Sequence, residues 1–149
     1  MLYNFKHVRE EAQRASMETL EDEGICVFCR EHLETYREEP IEFEGDWWVV
    51  TKNGFPYEGA TFHYLLIYKA KHIVHCDEIA PEAWVELGEH ISALSHKYNL
   101  PGGSMFMRFG DTDYNGSSIS HLHAQVIVGV PHNDQAEGLR VKLGYKNAE

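Results

Sequence analysis

The clearest pattern of apolar and polar positions lies between Pro81 and Tyr98. Apolar side chains recur there at spacings of three and four residues, which puts them on one face of a helix. A proline, here Pro81, suits the first turn of a helix. Residues 99–103 contain asparagine, proline and two glycines, which are typical of the end of a helix. The pattern therefore predicts one amphipathic helix over residues 81–98. Its apolar positions are Trp84, Leu87, Ile91, Leu94 and Tyr98.

Runs of aromatic and β-branched residues predict strands on both sides of this helix. Residues 5–21 look helical, although their apolar periodicity is weak. A polar loop at residues 110–118 separates the last two strands. Strands interrupted by one strong helix indicate an α+β fold with a largely antiparallel sheet. The predicted strands cover residues 46–52, 61–68, 104–109 and 119–130.

Composition and charge narrow the class of protein. The 149 residues are 43% hydrophobic and 25% charged, which is ordinary globular usage, and we expect one domain over residues 1–149. No segment approaches the roughly 20 apolar residues that span a bilayer. The mixed charges of residues 1–16 do not resemble a secretory signal, so we expect a cytoplasmic protein with no membrane partner. The net charge of −11 excludes long nucleic acids as partners but permits a small anionic substrate.

Three cysteines, Cys26, Cys29 and Cys76, raise the question of a metal or redox site. An odd number in a short chain without an export signal does not indicate a disulfide framework. On its own, the close pair Cys26-x-x-Cys29 fits zinc, a redox pair or chance. A thioredoxin-like redox pair would need a βαβ setting, which the strand pattern does not supply.

A polar face follows the Gly-Ser-Ser sequence at residues 116–118. If residues 119–130 form a strand, His121, His123 and Gln125 project to one side, while the residues between them project to the other. Loop amides and a serine hydroxyl can donate to phosphate oxygens, and an imidazole can attack phosphorus. Taken alone, two histidines at this spacing are more often structural than catalytic.

The segment from Ser118 to Gln125 closely resembles the signature of the histidine triad (HIT) superfamily, which is His-x-His-x-His after a small Gly/Ser loop. The resemblance implies a HIT-like fold with about five strands, one main helix and an N-terminal helix. It also implies that His123 becomes nucleotidylated during transfer of a nucleoside monophosphate. Gln125 replaces the third histidine, as in the branch with galactose-1-phosphate uridylyltransferase and diadenosine tetraphosphate phosphorylases. Glutamine can hold a phosphoryl oxygen but cannot transfer a proton, so this departure favours transfer over simple hydrolysis.

An upstream segment adds to the resemblance. Residues 53–59 (NGFPYEG) and 63–67 (HYLLI) are similar to a strand pair of the same superfamily, although two extra residues separate His63 from the glycine. The resemblance implies that Asn53 holds the ribose hydroxyls and that His63 lies behind the nucleophile. A packed strand histidine is an equal alternative for His63.

The resemblance also bears on the cysteine pair. Zinc takes four ligands in a tetrahedral array, commonly cysteine and histidine. By resemblance, Cys26, Cys29, His72 and His121 supply them, with His75 the nearest substitute for His72. Four protein ligands leave no open position for water, which is typical of a structural zinc ion. Such an ion would fix the strand that presents the nucleophile.

Substrate binding is predicted for the signature loop. Many triad enzymes have an asparagine at the start of this loop, where the chain has Gly110, and Asn115 is a weaker candidate within the loop. The expected donors to the phosphate are Gln125, Ser118 and the amides around Gly116 and Ser117.

Together these residues indicate a nucleotidyl transferase, phosphorylase or hydrolase. It would act on a nucleoside phosphate or dinucleoside polyphosphate through a covalent nucleotidyl-histidine. The acceptor (water, phosphate or a sugar phosphate) stays open. The alternative is a zinc-stabilised nucleotide-binding or regulatory module without turnover. By resemblance the protein forms a homodimer. The similarity spans about residues 26–130 and leaves a polar tail at 131–149.

Overall fold

Five antiparallel strands form one sheet in a computed structural model of the chain, which describes residues 1–148. The sheet order is β1-β2-β3-β5-β4, so the last strand in sequence lies inside the sheet and β4 lies at its edge. The predicted α+β fold with a largely antiparallel sheet is confirmed. The strands are β1 (Ile41–Glu44), β2 (Trp48–Lys52), β3 (Phe62–Tyr68), β4 (Ser104–Arg108) and β5 (His123–Val128).

Four α-helices accompany the sheet within the described residues. The predicted N-terminal helix is divided into a short 3-10 helix (Phe5–His7) and α1, and Gly24 ends α1 in a left-handed conformation that suits glycine. The short helix α2, the charged edge strand β1 and the single turn α4 were not predicted, because none is long enough to show a periodic pattern. The helices are α1 (Glu11–Glu23), α2 (Arg30–Tyr36), α3 (Pro81–Lys97) and α4 (Thr112–Asn115).

Helix α3 covers one face of the sheet, as its apolar stripe predicts. Leu87 and Leu94 are buried as expected, together with Ala83, and the indole of Trp48 donates to the Ala83 carbonyl at 2.7 Å. Trp84 differs from the prediction, since 47% of it is exposed. The buried face is centred on Ala83, and the next position along the helix points about 100° away from it.

Strand β5 is shorter than the predicted 119–130. The amide of Ser120 donates to Leu2 and that of Leu122 donates to Ile73, both at 2.7 Å, so this stretch pairs with the N-terminal segment and with the loop after β3. The ladder with β3 and β4 begins only at His123. His121 therefore precedes the strand, and the prediction that it lies on the strand is wrong.

The opposite face of the sheet carries the candidate site. Residues directly opposite each other in antiparallel strands point to the same side. Ile67 lies opposite His123 and Leu65 lies opposite Gln125. This side packs against the N-terminal segment, α1 and α2. No helix within residues 1–148 is long and apolar enough to cross a membrane.

Candidate functional site

The ring of His123 is buried and held in one orientation. Its Nδ1 lies 2.7 Å from the carbonyl oxygen of His121, so Nδ1 carries the proton and donates it. The Nε2 lone pair is then free, and His123 lines a large cavity. Burial lowers the pKa of His123 to about 4, which keeps the imidazole neutral near neutral pH. A neutral imidazole with a free lone pair is the form that can act as a nucleophile.

Phe28, which lies between the two close cysteines, contacts this ring. The planes of Phe28 and His123 are nearly perpendicular, with ring centroids 5.0 Å apart. Phe28 makes a second edge-on contact with His121 at 6.2 Å. Such contacts stabilise one ring orientation. The Cys-x-x-Cys segment therefore packs directly against the candidate nucleophile.

Gln125 is oriented by His63, which is buried on the neighbouring strand. The Tyr57 amide donates to His63 Nδ1 at 3.2 Å, so the His63 proton resides on Nε2. This Nε2–H donates to Gln125 Oε1 at 2.6 Å. Burial lowers the pKa of His63, in keeping with this neutral form. With its oxygen occupied, Gln125 presents its NH₂ group as a donor toward the cavity.

Asn53 lies at the outer end of this network. Its Nδ2 lies 3.1 Å from His63 Nε2 but does not bond to it, because both groups are donors. Its Oδ1 accepts from the Phe55 amide at 2.8 Å. Asn53 also lines the cavity, so the structure brings it together with His123 and Gln125.

The loop after α4 offers fewer donors than the sequence indicates. The amide of Gly116 already donates to the Thr112 carbonyl, and that of Ser117 donates to Asn115 Oδ1. Asn115 itself is buried, and its Nδ2 donates to the Phe109 carbonyl. These groups stabilise the loop, because Gly116 must turn the chain in a left-handed conformation at the end of α4. Ser118 also lines the cavity, and no described residue accepts a hydrogen bond from its hydroxyl.

The cavity has a volume of about 1050 Å³ and lies between the sheet and the C-terminal tail. The tail folds back over the site, where the Lys142 carbonyl accepts from Arg108 and the Tyr145 ring stacks on His7. In the sequence, residues 131–149 look only like a polar tail. His132 and residues 136–142 in fact line one side of the cavity, and residue 149 lies outside the described part.

Arg108 is a cavity residue that sequence reasoning missed. It is the last residue of β4 and lies opposite His123, so both side chains point to the same face. Its Nη1 donates to the Tyr57 hydroxyl at 2.9 Å, and its Nε donates to the Lys142 carbonyl at 3.0 Å. A cation at the end of an apolar strand is the signal that could have identified it.

A second cluster lies beside His123, and it contains the four residues predicted as metal ligands. Cys26 Sγ is 3.4 Å and Cys29 Sγ is 3.7 Å from His121 Nδ1. His72 Nδ1 is 3.3 Å from Cys29 Sγ and 3.1 Å from His121 Nδ1. All four ligand atoms lie within 4.8 Å of one another. Ligand atoms around tetrahedral zinc are about 3.3–3.8 Å apart, given the usual Zn–S and Zn–N bond lengths, so this set fits zinc.

The hydrogen bond of His121 Nε2 leaves its Nδ1 available as a metal ligand. His121 Nε2 lies 2.6 Å from the Tyr68 carbonyl and donates to it, which leaves the Nδ1 lone pair facing the sulfur atoms. Burial lowers the pKa of His121 to about 3, so the ring is neutral. His75, the nearest substitute for His72, instead accepts from the Asp77 amide and caps a short 3-10 helix (Cys76–Glu78). His75 and Cys76 lie outside the cluster.

Comparison with known proteins identifies the fold. No family model and no curated protein matches the chain. Among solved structures, a HIT family hydrolase from Clostridium thermocellum superposes with a TM-score of 0.58 at 21% identity, over 77% of this chain and 96% of that one. The chain has the histidine triad fold. This confirms the HIT-like fold implied by the signature around His123.

Two further solved structures share the histidine triad fold. A hypothetical histidine triad nucleotide-binding protein from Sulfolobus tokodaii has a TM-score of 0.55 at 19% identity, covering 81% of each chain. A Zn-bound histidine triad family protein from Mycobacterium smegmatis has a TM-score of 0.53 at 19% identity, covering 81% of this chain and 84% of that one.

The loop network yields a prediction about stability. We expect Asn115→Ala to lower the free energy of unfolding by about 2 kcal/mol, because it leaves the buried Ser117 amide and the partly buried Phe109 carbonyl unpaired. Asn133→Ala is the control, since it removes one exposed turn contact and should cost less than about 0.5 kcal/mol. Urea unfolding of the three proteins measures both values. Equal effects of the two substitutions would show that Asn115 does not stabilise the loop.

Proposed function

We propose that this chain is a histidine triad enzyme that transfers a nucleoside monophosphate through His123. The observation that carries the proposal is the neutral His123 ring, whose proton is fixed on Nδ1 and whose Nε2 is free beside the cavity. The cavity volume of about 1050 Å³ is at the upper end of ordinary ligand sites and suits a nucleoside phosphate or dinucleoside polyphosphate. Names of structures with this fold, a hydrolase and a nucleotide-binding protein, support the same class of ligand.

In the first step, His123 Nε2 attacks the α-phosphorus of the nucleotide. The Nε2–P bond forms, the bond from phosphorus to the leaving-group oxygen breaks, and its electron pair departs with the leaving group. The Nδ1 proton stays in place, so the product is a nucleotidyl-imidazolium that the His121 carbonyl stabilises through the existing hydrogen bond. The carbonyl thus acts where positive charge develops.

In the second step, an acceptor oxygen attacks the same phosphorus. The new P–O bond forms, the bond to Nε2 breaks, the acceptor releases its proton to solvent, and neutral His123 is restored. Gln125 cannot take part in proton transfer. Its NH₂ group and the Ser118 hydroxyl instead donate to the phosphoryl oxygens in both steps. Phosphate or a sugar phosphate suits this site as acceptor, because neither needs a general base as strong as the one water requires.

The remaining site residues position the substrate. His63 holds the Gln125 amide with its donor side toward the cavity, so its role is to position Gln125. Asn53, which lines the cavity, would bind the ribose hydroxyls. Gly116 and Ser117 also line it, but their amides are already paired and would not donate to the phosphate. Asn115 acts only through the loop.

A labelling experiment separates this enzyme from a binding module without turnover. The full chain is incubated with dinucleoside tetraphosphates labelled at the α-phosphorus, denatured, and examined for protein-bound label. We expect label on the wild-type protein, none on His123→Ala, and a loss of turnover of at least about 10³-fold in that variant. His132→Ala is the matched control, because His132 lines the same cavity from the tail and should retain label. Nucleotide binding without label or product would favour the module.

We also propose that Cys26, Cys29, His72 and His121 bind a structural zinc ion. The interatomic distances and the free Nδ1 of His121 support this, as does the Zn-bound protein of the same fold. Burial raises the pKa of the Cys26 thiol. It raises the pKa of the Cys29 thiol to about 12, so a bound cation must displace both protons. Its charge would hold the cluster together and would supply no reacting group.

Metal analysis tests this second proposal. We expect one zinc ion per purified chain, and Cys29→Ser should lose it and lower the midpoint of thermal unfolding by at least about 10 °C. Cys76→Ser is the control, since this free cysteine lies outside the cluster and its loss should leave zinc content unchanged. Wild-type protein without stoichiometric zinc would refute the assignment.

Finally, we propose that the protein forms a homodimer. Strand β4 is an edge strand with one unpaired side, and Met105 on it is 60% exposed. Trp84 and Val85 of α3 add exposed apolar surface. A second copy could cover the β4 edge by extending the sheet.

Sedimentation equilibrium tests the dimer. The wild-type chain should have twice the monomer mass, and Met105→Glu should shift it toward the monomer, because a buried unpaired carboxylate is costly. Leu143→Glu adds the same charge to a tail residue that is 70% exposed and should remain dimeric. A monomeric wild-type protein would contradict the proposal.

A further inference from the structure

Arg108 is the cavity cation most directly associated with His123. It lies opposite His123 across the ladder of β4 and β5, where paired residues are about 4.5–5.5 Å apart at their Cα atoms. Both residues and Gln125 line the same cavity. No carboxylate within residues 1–148 forms an ion pair with Arg108, so its charge is not neutralised locally.

Other arginines near the site are used differently. Arg37 is largely buried and pairs with Glu39 at 3.3 Å. Arg9 donates to the Phe55 carbonyl and lies over the Tyr57 ring, 4.3 Å from its centroid. Through these contacts Arg37 and Arg9 stabilise the surrounding loops. Arg108 is therefore distinguished by its place opposite His123 on the neighbouring strand.

The guanidinium of Arg108 is fixed but not saturated. The Tyr57 hydroxyl accepts one N–H, and the Lys142 carbonyl accepts two others, from Nε and Nη2. A guanidinium has five N–H groups, so two have no partner among the described residues. A planar group held on two sides is preorganised to donate its remaining hydrogens to a phosphate.

The chemistry of the proposed reaction requires such a group. When the bond from phosphorus to the leaving group breaks, the electron pair remains on the leaving oxygen. Gln125 can donate hydrogen bonds but cannot transfer a proton, so that oxygen departs as an anion. A guanidinium that donates to this anion stabilises the charge as it develops.

We propose that Arg108 binds the phosphate of the leaving group and so selects substrates whose leaving group is a phosphate or polyphosphate. This inference rests on the proposed nucleotidyl transfer and extends it to the second half of the substrate. In the first step, Arg108 donates to the oxygen that receives the electron pair, while His123 keeps its own Nδ1 proton. No further proton donor is required, because phosphate anions are weak bases.

Two substrates that differ only in the leaving group test the proposal. One is a nucleoside 5′-triphosphate, which releases pyrophosphate, and the other is the 5′-p-nitrophenyl phosphate ester of the same nucleoside. Both leaving groups depart without a proton, but only the first carries phosphate. Adenosine and uridine versions are used. We expect Arg108→Gln to lower kcat/KM for the triphosphate by about 10²-fold and to leave the ester within about 3-fold of wild type.

Arg140→Gln provides the matched control. Arg140 also lines the cavity, is exposed on the tail and makes no ion pair with a described residue. Its loss removes the same charge and should change kcat/KM for either substrate by less than about 3-fold. Equal losses in Arg108→Gln and Arg140→Gln would show a general electrostatic field. An equal loss for both substrates in Arg108→Gln would show that the residue only holds the tail. Either result overturns the proposal.

Calorimetric binding of inorganic tripolyphosphate separates this inference from the proposed function. The wild-type protein and Arg140→Gln should bind it with similar affinity, and Arg108→Gln should bind at least about 10-fold more weakly. If neither nucleotide is turned over, the proposed function fails, yet this binding result still supports a phosphate site at Arg108. Equal binding by all three proteins would overturn the site itself.

Discussion

The burial of β5 along its whole length is the constraint on which the rest of the site depends. All six residues of this strand are buried between β3 and β4 and between two packed layers. A buried polar group without a partner costs about 1–3 kcal/mol, so each polar side chain there must be paired. His123 meets this requirement through the His121 carbonyl and Gln125 through His63. In each case pairing uses one polar group and leaves another for a ligand. The hydrogen bonds that stabilise the strand therefore also fix the orientation of the His123 and Gln125 side chains.

His121 connects this strand to the cysteine pair. Its carbonyl fixes the proton of His123, while its ring nitrogens face the Tyr68 carbonyl and the sulfur atoms. Phe28 reaches the same two histidine rings from the other side. The His123 ring is thus held by the backbone of His121 and by the side chain of Phe28, which lies between the two cysteines. A disturbance of the cluster can reach His123 through either contact, although no cluster atom belongs to the reacting group.

The sequence predicted the parts of this structure that depend on local patterns or on a distinctive signature. The periodic helix α3, the central strands and the four cluster residues belong to this group. The extent of β5 was wrong, because the apolar run from residue 119 cannot show that its first residues pair with the N-terminal segment. The donor role of Gly116 and Ser117 was overestimated for a similar reason, since sequence does not reveal that their amides are already paired. Arg108 was missed because its partners lie 51 and 34 positions away in the chain.

The cluster also constrains the order in which the chain can assemble. Cys29 and His72 are 43 positions apart, and His72 and His121 are 49 positions apart. His72 follows β3 and His121 precedes β5, so the ligand atoms meet only when these two strands are already paired. Non-local pairings of this kind form slowly. An ion held by all four residues would therefore bind the paired arrangement in preference to the unpaired one and would stabilise it. In the native protein it would join the segment before α2 to the chain just after β3 and just before β5.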